Sequence, residues 1–327
     1  MKNTAIRKIV VISAIVAAVG LGGAAILWFT LGLDLDTGRH WNGVTIDERE
    51  SFALDAIEEI VVSTAGTDVE IVSARSAAGA GGSASRAGGG PGTIEAHLSG
   101  ITSREDTEPP RRLRVLQTGG TLRIEVEHPE IFDVSLAGLG RPTLRLELDL
   151  PGDFSGRLEI KTASGKVKLR DRRVRELAIR TVSGDIEMEA VEADALSLRS
   201  TSGEARVDGL EARAAAVSTV SGDFYVAGFG GSLQAESTSG SLEVDFSELA
   251  GDVEVSSVSG DVELSLPRDA AFGLEARSTS GEVTCRFPIE LAGSGSRDQR
   301  NSIVGTVGTA GNRIRIKTVS GDIRVAY

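Results

Sequence analysis

Eight Ser-Gly pairs punctuate the chain at near-constant intervals, and this regularity narrows the possible folds more than any other feature. Their glycines are Gly165, Gly184, Gly203, Gly222, Gly240, Gly260, Gly281 and Gly321, separated by 19, 19, 19, 18, 20, 21 and 40 residues, the last gap equalling about two periods. Each pair lies in a variant of the pentapeptide TVSGD, which is unaltered at Thr181–Asp185, Thr219–Asp223 and Thr318–Asp322. A fixed period near 20 residues marks an architecture in which one supersecondary unit stacks on the next. Counted from each glycine, positions −7 and −5 are apolar in every unit, as in Leu177 and Ile179 or Leu196 and Leu198. Beyond the glycine the apolar positions are +2 and +4, as in Ile186 and Met188. Period two denotes strand rather than helix. The apolar series slips by one residue at the glycine. Such an insertion marks a bulge or corner, where glycine accepts the positive φ that other residues resist.

Hydroxyls accompany the corner. Position −3 is Thr or Ser and position −1 is Ser in all eight units. Small hydroxyls suit a place where backbone groups lose their ladder partners, because burying such groups unbonded is costly. Eight repeated serines cannot each have a base, so they are structural, and the eight glycines are structural corner residues. The expected fold is all-β: a parallel β-solenoid of ~19–20-residue repeats, with two short strands per coil and like residues stacked about 4.8 Å apart. A meander of antiparallel strands also satisfies period two, but only parallel stacking brings like residues into contact.

Upstream, IVVSTAGTDVEIV from Ile60 repeats the unit with Gly66-Thr67 in place of Ser-Gly. Strands are predicted at Thr93–His97, Arg112–Gln117, Thr121–Glu127 and Thr143–Leu150, with Gly119-Gly120 as a hairpin turn. Between them, residues 76–92 are a low-complexity Gly/Ser-rich loop. The segment Pro288–Gly311 is expected to be an irregular coil or cap, covering the edge left by the last unit. Its GTVGTAG lacks the spacing and the βαβ context of a dinucleotide-binding loop.

The amino terminus predicts an address. Ile9–Leu33 carries no charged side chain, and as a helix it would span roughly 37 Å, enough for a hydrocarbon core of roughly 30 Å. Lys2, Arg7 and Lys8 precede the run, and Asp34 and Asp36 follow it. The positive-inside rule then keeps the N-terminus in the cytoplasm. The expected organisation is a cytoplasmic stub at 1–8, a transmembrane helix at 9–33, a spacer at 34–50 and an extracytoplasmic repeat domain at 51–327. A cleaved signal peptide ending near the Val16–Ala18 stretch would export the same domain.

Chemistry is sparse. The formal charge of −12 argues against nucleic acid as a partner. The single cysteine, Cys285, stands at an inward column position and is expected to be a small core residue. His40, His97 and His128 are scattered, and the latter two are expected at solvated strand ends. No catalytic, cofactor-binding or metal-ligating residue emerges. Two outward columns carry charge. Position +1 is acidic at Asp185, Glu204, Asp223, Asp261, Glu282 and Asp322. Position −4 is basic at Lys161, Arg180, Arg199, Arg277 and Lys317. The plain expectation for both stripes is a solvated face, with weak divalent-ion binding at the acids. The sharper one is contact with polyanionic envelope material through Lys161, Arg180 and Arg199.

SFALDAIEEIVVSTAGTDVEIV, TVSGDIEM, CRFPI at Cys285–Ile289 and the closing GNRIRIKTVSGDIRV together resemble the bacterial β-strand-repeat domain known as the "putative adhesin" or toast-rack domain. The resemblance covers roughly Ser51 to Tyr327 and brings no catalytic residues with it. It implies a membrane-attached, non-catalytic envelope scaffold, with an envelope polymer or a membrane-stress protein as partner. Open solenoid edges would add self-association. The competing function is a β-helix enzyme acting on envelope polysaccharide, which would need convergent carboxylates and aromatic platforms in a cleft.

Overall fold

The computed structural model describes residues 44–55, 57–73, 92–102, 113–126, 143–291, 300–309 and 311–327. These residues are all-β, with no helix among them. The apolar run at 9–33 and nearly all of the loop at 76–92 lie outside the described residues. In chain order come β1 (Val44–Ala53), β2 (Glu59–Thr64), β3 (Asp68–Ser73), β4 (Thr93–Thr102), the hairpin β5 (Leu113–Thr118) and β6 (Thr121–Val126), β7 (Thr143–Leu150) and β8 (Arg157–Thr162). Four long strands carry the most regular units: β9 (Val167–Thr181), β10 (Ile186–Ser200), β11 (Ala205–Thr219) and β12 (Phe224–Ser237). Shorter strands follow: β13 (Leu242–Glu248), β14 (Val253–Ser257), β15 (Val262–Ser265), β16 (Phe272–Ser278) and β17 (Val283–Cys285). The last four are β18 (Glu290–Leu291), β19 (Ser302–Val307), β20 (Asn312–Thr318) and β21 (Ile323–Ala326).

Two parallel ladders result. Segments entering the Ser-Gly corners run β6, β2, β8, the second halves of β9 to β12, then β14, β20 and β16. Segments leaving the corners run β7, β3, the first halves of β9 to β12, then β13, β15, β21 and β17. Register sets Leu196 beside Leu177 and Ala215, so like positions touch as parallel stacking requires. The inward residues of both ladders fill one hydrophobic core, the source of most of the stabilisation in a layered all-β domain.

The coil departs from the expected two short strands. β9, β10 and β11 each run 15 residues because they pass through a second corner without a break. That corner lies six residues after each glycine, where Asp171, Ala190, Gly209 and Gly228 have φ of 49°, 51°, 71° and 72°. The ladder pairs Arg170 with Glu189 and Arg172 with Val191, skipping the corner residues. Gly209 and Gly228 repeat at 19 residues, but Asp and Ala at the equivalent sites hide the column. Ala190 therefore sits where an L side chain is strained by about 1–2 kcal/mol, more than the roughly 0.4–1 kcal/mol of extra chain entropy that a glycine loses on folding. Ala190→Gly should raise stability by about 0.5–1 kcal/mol, read as a higher urea midpoint at constant slope. A lower midpoint would contradict the strain.

The order of the final coils also differs from expectation. In space β20 and β21 lie between β14/β15 and β16/β17, with Ile314 beside both Val253 and Leu274. The 40-residue gap is thus not two coils. Its residues form the short β18 and then β19, which returns antiparallel along β16, pairing Phe272 with Val307. The described strands of the Pro288–Gly311 segment form an antiparallel cover, and the edge they cover belongs to β16 rather than to the last unit. At the opposite end, β4 lies antiparallel between β1 and β7, and β5 lies antiparallel on β6. Antiparallel strands need only short returns, so they can close a parallel stack where a further coil would not fit.

Candidate recognition surface

At the Ser-Gly corners the recurring polar groups serve the backbone. At Gly165, Gly184, Gly222, Gly260, Gly281 and Gly321 the glycine N–H donates to the hydroxyl at −3, at 2.8 Å for Gly184 to Thr181, 2.9 Å for Gly222 to Thr219 and 3.0 Å for Gly260 to Ser257, whereas at the other two corners Ser200 and Ser237 donate to the carbonyls of Ser202 and Gly240. The serine hydroxyl at −1 donates to a carbonyl of the preceding coil, as from Ser183 to Ala163 at 3.2 Å and from Ser221 to Thr201 at 3.3 Å. The aspartate at +1 accepts from the neighbouring coil's backbone. Asp185 takes the Glu204 amide at 3.0 Å, Asp223 that of Ser241 at 2.8 Å and Asp322 that of Glu282 at 2.8 Å. These aspartates of the acidic stripe are therefore not simply solvated decoration. They bond amides at corners where the ladder is interrupted.

The corner glycines stand at the turns, but positive φ is not their common requirement. Only Gly203 and Gly240 lie in the left-handed region, at φ 120° and 130°. Close approach is general. A Cβ on Gly165, Gly184, Gly222, Gly260, Gly281 or Gly321 would overlap the carbonyl of the adjacent coil, and even on Gly203 it would come within 2.7 Å of the Gly184 oxygen.

The register sets Lys161, Arg180 and Arg199 side by side on the other ladder. Lys161 and Arg180 share Glu159, at 3.1 and 3.9 Å, whereas Arg199 has no ion pair among the described residues. Arg277 lies beside Lys317 and pairs with Glu275 at 3.4 Å. His97 is a strand residue bonded to Asp47 at 2.8 Å rather than a free end, while His40 and His128 lie outside the described residues. Cys285 is half-buried against the core, and burial pushes its thiol up. Among the described residues no group of three metal-ligating side chains converges.

A groove of about 630 Å³ crosses the outer side of the ladder that leaves the corners, over β9 to β13. Its floor is irregular because β12 and β13 shift register between Val226 and Phe229 and again before Gly230. At one end the charges are matched. Lys166 and Lys168 both engage Glu187, holding its carboxyl below its usual range, and Arg170 meets Glu189 at 3.3 Å. Tyr225 is central, with the Arg206 guanidinium 5.9 Å from its ring centroid and Arg206 itself held by Glu204 at 2.7 Å. Asp223, then burial, then Glu204 and Glu243 push the Tyr225 phenol up. Periodicity alone does not reveal this groove. Its trace was the unit at Gly222, which has Tyr225 at +3, where six of the other seven units are charged, and Ala227 at +5.

Parallel coils, tight glycine corners and ladders of hydroxyls and carboxylates define a β-solenoid repeat domain. The chain belongs to the Toastrack DUF4097 family, whose model matches residues 57–326. It is similar to a solved structure described as a "putative adhesin" from Bacteroides fragilis NCTC 9343, with 10% identity over 86% of this chain and 97% of that one, at a TM-score of 0.46. It is likewise similar to a "putative adhesin" from Parabacteroides distasonis ATCC 8503, with 13% identity over 87% and 98% of the two chains and a TM-score of 0.45. A "putative lipid binding protein" from the same strain shares 14% identity over 85% and 96%, at a TM-score of 0.41. No curated protein matches the chain in sequence.

Proposed function

We propose that the chain is a membrane-anchored, non-catalytic extracytoplasmic scaffold that recognises envelope material in the manner of an adhesin. One observation carries the reading. The repeated Ser, Thr and Asp side chains are bonded to backbone groups, so repetition builds a rigid stack, while an open groove lined by charged side chains and Tyr225 lies on its outer face. Rigid sheets that present exposed polar grooves suit recognition, since little ordering is left to be done on binding. The anchor is supported by the uncharged run Ile9–Leu33 and the basic-before, acidic-after flanks. An envelope polymer or a membrane-stress protein is the expected partner class.

Two measurements test this. A reporter active only outside the cytoplasm, fused after Tyr327, should be active, and activity from a cytoplasm-only reporter there would overturn the address. Crosslinking on intact cells should capture envelope components with the natural chain and lose them when Ala227→Arg blocks the groove. Capture that persists unchanged in that variant would move recognition to another face.

A further inference from the structure

Each Ser-Gly corner presents one side chain at its tip, at position −2, and along the stack these tips form a row. Backbone bonds fix its order: the amides of Ser202, Ser221, Ser239, Ser259 and Ser320 donate to the carbonyls of Val182, Thr201, Val220, Thr238 and Val258. The row therefore reads Val182, Thr201, Val220, Thr238, Val258, Val319, and its steps of about 4.8 Å cover roughly 24 Å. Its four valines are 54%, 48%, 48% and 47% exposed, and they are four of the nine large apolar side chains exposed among the described residues. Aliphatic residues scattered singly over a surface are ordinary, but a straight row of them marks a contact. The polar groups beneath the row are already bonded, glycine amides to −3 hydroxyls, serine hydroxyls to carbonyls and aspartates to amides. Entering a poorly hydrated environment therefore strands few of them. Arg180, Arg199 and Lys317 stand two residues before Val182, Thr201 and Val319. Arg199 and Lys317 are exposed and have no ion pair among the described residues.

The register carries the start of the first strand to the same edge. Val69 pairs with Val167, two residues after Gly165, and with Leu146. Leu144 pairs with Gly100, Gly100 with Ile46, and Thr102 with Val44. Ile46 is thus level with the corner glycines and Val44 level with the row of tips. β1 enters the domain at the corner edge and runs away from it. Residues 34–43 separate Val44 from the uncharged run ending at Leu33, a span of at most about 35 Å. We infer that the corner edge docks on the phospholipid bilayer that holds the anchor, with the four valines at the headgroup–acyl boundary and Arg199 and Lys317 on lipid phosphates. The shape selects a bilayer over a rigid partner. A convex row one residue wide offers far less than the roughly 800 Å² a side that a stable protein interface buries, whereas headgroups rearrange around it. Long cationic side chains beside an apolar row extend to phosphates at that depth. The net charge of −12 opposes binding from solution. The short tether, which raises the local concentration, is what makes so small a contact effective.

This inference rests on reading Ile9–Leu33 as a membrane anchor, and its test separates the two. The full chain, with Cys285→Ala and a single fluorophore at Thr201→Cys, is reconstituted in phosphatidylethanolamine–phosphatidylglycerol vesicles whose acyl chains carry bromine near the headgroups. A second chain carries the fluorophore at Asp194→Cys, on the same coil but about 20 Å back along the segment that runs up to Thr201. With the row about 5–10 Å into the boundary, bromine should quench the Thr201 probe at least about threefold more than the Asp194 probe. Val182→Ser, Val220→Ser, Val258→Ser and Val319→Ser together should bring the Thr201 probe down to the Asp194 level. Arg199→Gln with Lys317→Gln should lower its quenching at least about twofold. Circular dichroism of each variant confirms that the fold is retained. Equal quenching at the two positions in the chain with its valines overturns the inference, as does quenching that the four serines leave unchanged. A Thr201 probe shielded from water yet unquenched by bromine means that the row meets a second copy, and overturns it too. Co-flotation with the vesicles reads the anchor separately. A chain that floats without quenching at Thr201 loses the docking and keeps the anchor, whereas one that fails to float loses both.

Discussion

Gly222→Val should destabilise the domain by at least about 3 kcal/mol, or prevent folding outright. The added Cβ would overlap the Gly203 carbonyl, and a second contact, the Thr219 hydroxyl, lies at 3.1 Å. A side chain can rotate away from a new methyl group, but a ladder carbonyl cannot. It is fixed by the coils above and below. Outward Arg199→Gln on the same stack should lie within about ±0.5 kcal/mol, as surface changes usually do. Urea unfolding followed by circular dichroism makes the comparison. Similar midpoints for the two variants would mean that the corner can open to admit a side chain.

A second large loss is expected at Arg172. Its side chain occupies the inward column that holds Val191 and Leu210 in the next coils, and it is 3% exposed. The guanidinium donates to the carbonyls of Leu150 at 2.6 Å and Pro151 at 3.2 Å, and also to that of Val72. Those carbonyls belong to the ends of β3 and β7, where the irregular N-terminal strands give way to regular coils. Burial lowers its pKa to about 10, opposed by the Asp149 and Asp171 carboxylates, so it remains a cation at neutral pH. Replacing a buried charge by an apolar side chain is often harmless when its partner is removed too. Here the partners are backbone acceptors that stay behind, each costing about 1–3 kcal/mol if left unbonded. Arg172→Met, which keeps most of the volume, should therefore lose about 3–5 kcal/mol. A loss below about 1 kcal/mol would show that water or a relaxed backbone takes over those acceptors.

Much of this architecture was legible because stacking forces like onto like. The columns at −7, −5, +2 and +4 are buried as period two requires, with Cys285 alone half-buried, and Gly119 turns the β5–β6 hairpin with φ 59°. The second corner was not legible, because its backbone conformation is borne by Asp171 and Ala190 as well as by glycines. A column of unlike residues carries no pattern. Nor could periodicity show that β20 enters between earlier coils, since every inward column accepts the same residues and order along the axis is settled by how the chain returns. The groove escaped for the opposite reason. Tyr225 and Ala227 break the pattern, and a reading built on repetition treats such breaks as noise. The buried Arg172 was hidden likewise, as one of several arginines in RDRRVR.

The inserted coil changes what kind of object the rod is. An ordinary solenoid grows from one end, each repeat resting on the one just made, so losing the last repeat merely shortens it. Here Ile314 must lie against Val253, laid down 61 residues earlier, and also against Leu274, with β16 already closed on its far side by β19. Residues 312–326 act as a keystone. Without them the rod is not trimmed but split, with two raw strand edges facing an empty slot in its interior. A chain synthesised from its amino end stays an open intermediate with raw strand edges until these closing residues are made. Assembly of this half of the stack is thereby all-or-none, and a chain lacking residues 312–326 exposes the strand edges of β14 and β16 that those residues conceal.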